Sequence, residues 1–306
     1  MLRLRNIAWL PIFLFALSFG LTSAQAQTDF TSVKPAKEFW IDTPYGAKLS
    51  AQEWGNPDGP VVIFIHGFLQ SHLSWWKQVT DQDLVKKYRM ITFDITGHGG
   101  SDKPWDKSIY DNGDKWADML KGVLDAAGPK KPVVVGWSYG SRIIGDYLNK
   151  YGDSRLAGIN FVGSALNGDR KMFGDGITLL GKALVDDIAQ NVKATREFNK
   201  ACFEKQPSDA DLDQMTMVSM AAPIKVRQWA RRPAEYEKGL VAIKVPVLVT
   251  HGVQDRVCLI DIAKYVVSKV PHAKASYYEG AGHSPFWEDA PRFNRELSEL
   301  VSQATK

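Results

Sequence analysis

Residues Val133 to Arg142, VVVGWSYGSR, constrain the chain more than any other stretch. Pro132 has no N–H to give a ladder and suits the start of a strand, and three β-branched valines fit a buried central one. The strand stops at Gly136. Ile143, Ile144, Tyr147 and Leu148 then recur at helical spacing, which puts Ser138 on a sharp strand-to-helix turn. Glycines two before and two after the serine relieve crowding between strand and helix, and the turn lifts its hydroxyl clear of the sheet. The bare pentapeptide also fits a connection whose glycines merely pack. The flanking strand and helix favour a nucleophile.

The N-terminus reads as a targeting segment. Arg3 and Arg5 form a basic region, Ile7 to Leu21 an apolar stretch, and Ala24-Gln25-Ala26 a small-x-small cleavage site. Residues 1–26 are therefore expected to be a signal peptide, with the mature chain beginning at Gln27. A retained anchor fits less well, because the stretch is shorter than the ~20 residues of a spanning helix and Pro11 interrupts it. The expected destination is the periplasm or the medium, with no membrane attachment after cleavage. Arg3 and Arg5 are two of 38 Lys+Arg against 34 Asp+Glu, which leaves the mature chain at about +2. Its basic residues form no run and do not interleave with aromatics, which argues against a nucleic-acid partner. With 44% apolar residues, the ~280 remaining residues can bury one large core, or a core and a lid. Nothing in the sequence sets the oligomeric state.

Residues 38–54 alternate loosely about Pro44-Tyr45-Gly46 and read as a hairpin. Val61 to Ile65 is a continuous apolar run, the mark of a strand covered on both faces, and it ends in His66-Gly67-Phe68. Further strands are expected at Tyr88 to Phe93, Ala157 to Val162, Val245 to Thr250 and Ala275 to Tyr278. Trp116, Met119, Leu120, Val123 and Leu124 space a helix over 111–127, and Phe293, Leu297, Leu300 and Val301 a closing one. Strands alternating with helices imply an α/β fold, a mostly parallel central sheet with helices on both faces. Between 166 and 240 that alternation lapses into helical-looking segments, Leu179 to Val192, Ala210 to Met220 and Ile224 to Arg231, too long together for a loop. The expected organisation is a core of residues 27–165 and 241–306, with a helical cap of residues 166–240 over the strand ends.

With these stretches in order, the chain resembles the α/β-hydrolase superfamily, in its esterase and haloperoxidase-like branch with a helical cap. The resemblance rests on His66-Gly67-Phe68, Phe93-Asp94 with Gly97 to Pro104, Gly136 to Gly140, Val245 to Val249 with His251-Gly252 and Asp255, and Gly280 to Ser284. Two departures stand out. Cys258 occupies a position three residues after the acid where relatives often carry proline. Ser138 stands where epoxide hydrolases and haloalkane dehalogenases have aspartate, which speaks against those two chemistries.

A serine hydroxyl is a weak nucleophile until a base takes its proton, and the imidazole needs a carboxylate to fix its tautomer. The resemblance implies the chain order serine, aspartate, histidine, which Ser138, Asp255 and His283 satisfy, each on a turn after an apolar strand. Asp169, after the preceding strand, is the competing acid. His66 and His98 fall in structural turns, His251 ends a strand, and His72 and His272 read as surface residues. The resemblance further implies an oxyanion hole from the backbone N–H groups of Phe68 and Tyr139. No metal or organic cofactor is called for; Gly174 to Gly181 follows no strand and is no dinucleotide pattern.

Trp137, Phe286 and Trp287 flank these motifs, and Met215, Met217 and Met220 fall in the cap. Trp137, Phe286, Trp287, Met215 and Met220 are the candidate substrate pocket, although tryptophans and lid methionines also serve as plain packing. Cys202 and Cys258 could form a disulfide or stay as two buried thiols; the thiols are the favoured reading. The expected activity is acyl transfer on a small or medium apolar carboxylic ester or lactone. Perhydrolysis, carbon–carbon cleavage and a non-catalytic binding role on the same scaffold are the alternatives.

Overall fold

Alternation along the central strands decides the architecture. Of the strand β3 (Val61–Ile65), Val61, Ile63 and Ile65 enter one apolar cluster while Val62 and Phe64 enter another. The same split divides Val134 from Val133 and Val135 in β5 (Val133–Trp137). Successive side chains of a strand point to opposite faces, so each face of this sheet is covered. The computed structural model describes residues 27–306; the signal peptide expected over 1–26 lies outside the described residues.

The hairpin strands β1 (Lys37–Asp42) and β2 (Lys48–Gly55) lead the sheet, and β4 (Arg89–Phe93), β6 (Gly158–Val162), β7 (Val247–Gly252) and β8 (Lys274–Tyr278) complete it. Eight strands run in the order β1-β2-β4-β3-β5-β6-β7-β8. The β1/β2 and β2/β4 pairs are antiparallel, and every pair from β4 onward is parallel. On one face the Gly113–Ala127 helix lays down Trp116, Met119, Leu120, Val123 and Leu124. Asn112 starts it by accepting from the Asp114 N–H at 2.9 Å. The closing Ala290–Ala304 helix covers the other face through Phe293, Leu297, Leu300 and Val301.

β7, expected over Val245 to Thr250, differs from the sequence expectation in its bounds. It starts after Pro246, which cannot donate to a ladder, and pairs two residues further on, His251 with Tyr277 and Gly252 with Tyr278. Between β6 and β7 the chain forms the helices Gly176–Lys182, Ile188–Ala201, Asp209–Met220, Ile224–Trp229 and Glu237–Val241. The single helix expected over Leu179 to Val192 is therefore two. Asp187 separates them by accepting from the Gln190 N–H at 2.8 Å, an N-cap inside what reads as one apolar period.

Candidate active site

Ser138 adopts φ +52° and ψ −113°, a backbone region costing a non-glycine residue about 1–3 kcal/mol. Its surroundings enforce that conformation. The Ser138 N–H donates to Val162 O at 2.9 Å, and the Ser141 N–H and hydroxyl both donate to Ser138 O. A Cβ on Gly140 would lie 2.4 Å from Ile65 O, and one on Gly136 would lie 2.6 Å from Ile144 Cδ1, so neither flanking position has room for a side chain. The result is a half-buried serine at the C-terminal end of β5 and the N-terminus of the Tyr139–Tyr151 helix.

Two loops meet beside it. A Cβ on Gly252 would fall 1.9 Å from Gly282 O, so only glycine lets the end of β7 close against the Gly280 to His283 loop. That approach brings Asp255 Oδ2 to 2.7 Å from His283 Nδ1. The other oxygen, Oδ1, accepts from the Val257 and Cys258 N–H groups at 2.8 and 2.9 Å. Burial opposes the charge on Asp255, but the neighbouring His283 and the hydrogen bonds from His251 and His283 outweigh it and hold the carboxyl well below the usual range. His283 is buried, its carbonyl accepts from the Trp137 indole N–H at 2.8 Å, and Gly163 backs the imidazole where a Cβ would press on it at 3.0 Å. Its Nε2 has no hydrogen-bond partner among the described residues, and its ring lines the same cavity as Ser138.

The Phe68 and Tyr139 N–H groups have no protein acceptor among the described residues. Tyr139 is the first residue of its helix, where N–H groups lack an intrahelical partner. Phe68 sits in a turn held by the Gln70 N–H donating to Gly67 O and by Leu69 at φ +62°. Both residues line the space around Ser138. The arrangement therefore places an unpaired imidazole nitrogen and two unpaired N–H donors around the space beside Ser138.

Ser138 lies between two cavities. The first, about 40 Å³, is walled by Trp137, Phe286, Trp287, Met215, Phe198 of the Ile188–Ala201 helix and Phe203 just after it. Met220 is a correction: it does not line this cavity, and its sulfur lies 3.5 Å from Arg227 Nη2. Five residues turn a helix by about 140° from Met215, away from the serine. Met217 is 72% exposed. The wall also contains Phe30, Gln70 and Asn199, which the sequence reading missed. Phe30 packs its ring 5.5 Å from Trp76 and 6.2 Å from Trp287, a contact between distant segments with no local signal.

Asp169 is exposed and accepts from the Lys171 N–H as the cap of a short turn. Cys202 and Cys258 are both buried free thiols, one in the wall of each cavity. His251, read as a strand end, brings Nε2 to 2.8 Å from Cys258 O and 3.2 Å from Asp255 Oδ2, so the carboxylate lies between two imidazoles. Extension of β7 through His251 puts it there. His72 is not a plain surface residue, since it is half-buried with Nδ1 2.9 Å from Asp94 Oδ1. His66 accepts from the Ile95 N–H through Nε2 at 3.0 Å, and its Nδ1 lies 2.7 Å from Gly67 O.

A mostly parallel sheet whose strand ends present a strained elbow serine beside a buried Asp–His pair defines an α/β protein with a serine-centred site. The family model for the alpha/beta hydrolase fold matches residues 60–290. The chain belongs to that family. It is 27% identical over 271 residues to the AB hydrolase superfamily protein YisY of Bacillus subtilis, covering 85% of this chain and 98% of the relative. It is 24% identical to the bifunctional esterase/perhydrolase DCH of Acinetobacter calcoaceticus over 86% of this chain and 99% of that one. Among solved structures, a Burkholderia cenocepacia protein provisionally assigned as an aryl esterase superposes with a TM-score of 0.85 at 34% identity, covering 88% of this chain and 99% of its own. The esterase RhEst1 from Rhodococcus sp. ECU1013 gives 0.80 at 29% identity, over 87% and 99%.

Proposed function

We propose that the protein is a serine hydrolase that cleaves a carboxylic ester or lactone through an acyl-enzyme. The observation that carries this reading is the buried 2.7 Å Asp255–His283 contact beside a strained Ser138. Asp255 holds the proton on His283 Nδ1, so Nε2 carries the lone pair and can take the Ser138 proton as the oxygen attacks the carbonyl. The Phe68 and Tyr139 N–H groups stabilise the oxyanion. His283 returns its proton to the leaving alcohol, then activates a water that releases the acid and frees the serine.

The likeness to two esterase structures at 29% and 34% identity supports ester bonds as the target. A cavity of about 40 Å³ holds roughly three water-sized groups, which suits a short apolar arm on one side of the carbonyl. The DCH relative favours perhydrolysis as the second reading, with hydrogen peroxide replacing water at the acyl-enzyme. The basic, apolar and small-x-small N-terminus supports an exported protein. No helix among the described residues is long and apolar enough to cross a membrane. The test is a series of p-nitrophenyl esters from acetate to octanoate with wild type and Ser138→Ala. Turnover highest for the short acyl chains and lost in the variant supports the reading; equal rates in both proteins overturn it.

A further inference from the structure

The second cavity, about 290 Å³ and open to solvent, reaches Ser138 on the side bounded by Phe68 and Tyr139. Among the described residues its wall contains Arg142, Arg170, Arg231 and Arg232 and no aspartate or glutamate. Among the described residues only Arg232 is hydrogen-bonded to a carboxylate, Asp146, through two bonds, and the Asp146 charge also acts on Arg142. Arg142 donates to neutral oxygens alone, Arg232 O and Pro233 O at 2.6 Å and the Tyr236 hydroxyl at 3.2 Å. Arg170 donates only to Phe173 O and the Thr178 hydroxyl, at 3.2 and 3.5 Å. The exposed Arg231 has no side-chain hydrogen bond and no ion pair among the described residues. Guanidinium groups present a planar fork that matches a carboxylate bidentately. Three of them with no carboxylate at hydrogen-bond distance among the described residues, Arg170 and Arg231 the least offset, make a field that concentrates anions.

Among the described residues the first cavity carries no arginine or lysine; its wall is mostly aromatic and aliphatic, with Gln70, Asn199 and Gln214 among the polar groups, whereas the second adds its four arginines to apolar side chains such as Phe173, Ile177 and Leu180. An ester lying across Ser138 thus meets a pocket without cations on one side and an apolar pocket edged by arginines on the other. We propose that the arginine-walled cavity binds a carboxylate on the alcohol side of the ester, so that the substrate class is short-chain acyl esters of hydroxy or phenolic acids. The alcohol departs first from the acyl-enzyme, and the open cavity gives it a path out. This inference rests on the serine-hydrolase reading and names its substrate.

The test compares 4-acetoxybenzoate with its neutral methyl ester, each kcat/KM divided by that compound's rate with hydroxide. Wild type should favour the anion by about tenfold or more, the scale of one charge-assisted hydrogen bond, through KM rather than kcat. The Arg170→Gln/Arg231→Gln protein should bring the preference close to one. Arg196→Gln, which removes a cap arginine paired with Asp209 and Asp213 elsewhere, should keep it. Added salt at 0.5 M should shrink the wild-type preference, because these charges face solvent. Equal normalised rates for the two esters, or a preference that survives the double substitution, overturns the inference while leaving the hydrolase reading intact. Failure of wild type to turn over p-nitrophenyl acetate as well would instead overturn the hydrolase reading.

Discussion

At Ser138 the demands of the proposed chemistry and of stability oppose each other. The positive φ that presents the hydroxyl is strained for serine and comfortable for glycine. Ser138→Gly should therefore abolish ester turnover and raise unfolding stability by about 1 kcal/mol, strain relief exceeding the added backbone entropy of the unfolded chain. Urea unfolding checks this, and a loss of stability would mean the elbow stores no strain. Asp255 gives a second prediction. In Asp255→Asn the side-chain oxygen can still accept from Val257 and Cys258, but the amide meets His283 Nδ1 with a donor and forces the proton to Nε2. The fold should persist by near-ultraviolet circular dichroism while kcat falls about 10⁴-fold. Ser138 was legible in the sequence because strand, turn and helix are local. The Asp255–His283 pair was legible only through motif order. His251, the second imidazole on Asp255, was hidden because its place depends on β7 running two residues past the apolar run.

Among the elements, the helices between β6 and β7, the proposed cap, hold together through a buried cation. Arg227 donates to Ala222 O at 2.6 Å, Ser219 O at 2.7 Å and Asn191 Oδ1 at 2.8 Å, joining three helices with no carboxylate among its partners. Burial brings its pKa down to about 10, so it stays charged at neutral pH. Arg227→Met leaves those acceptors unpaired, at a cost of about 3 kcal/mol in the cap. Limited proteolysis should then nick residues 183–230 first while the sheet remains protected; digestion spread evenly over the chain would contradict a cap stabilised as its own unit. The cap was the least legible part of the chain. Its apolar periods announce helices, but not which side of each faces the sheet, which is why Met215 reached the cavity and Met220 did not. Arg142, Arg170, Arg231 and Arg232 come from the elbow helix and two separate cap segments, so only the folded chain gathers them around one cavity.

For the whole molecule, acid stability follows from the buried histidines. Burial is the largest influence on His66 and His98 and pushes them down to about 4 and about 3, against about 6.5 in an unfolded chain. Below about pH 6.5 the unfolded chain binds protons that the folded one refuses, so stability is full above that value and is lost as pH falls toward 4 and then 3. Each histidine contributes a slope of up to about 1.4 kcal/mol per pH unit within its window. Urea midpoints between pH 7 and 4 should fall accordingly, and His98→Gln should flatten the fall; parallel curves for the two proteins would contradict it. Asp255 works at lower pH with the same sign, because a depressed carboxyl stabilises the fold above its unfolded value and ceases to do so as pH drops through its folded one. The central claim, that the fold assembles Ser138, Asp255 and His283 into an activated serine, is tested most directly by mass spectrometry after incubation with a fluorophosphonate. One adduct, located on Ser138 and absent from His283→Ala, is the result the account predicts. An unlabelled wild-type protein, or an adduct on another residue, would contradict it.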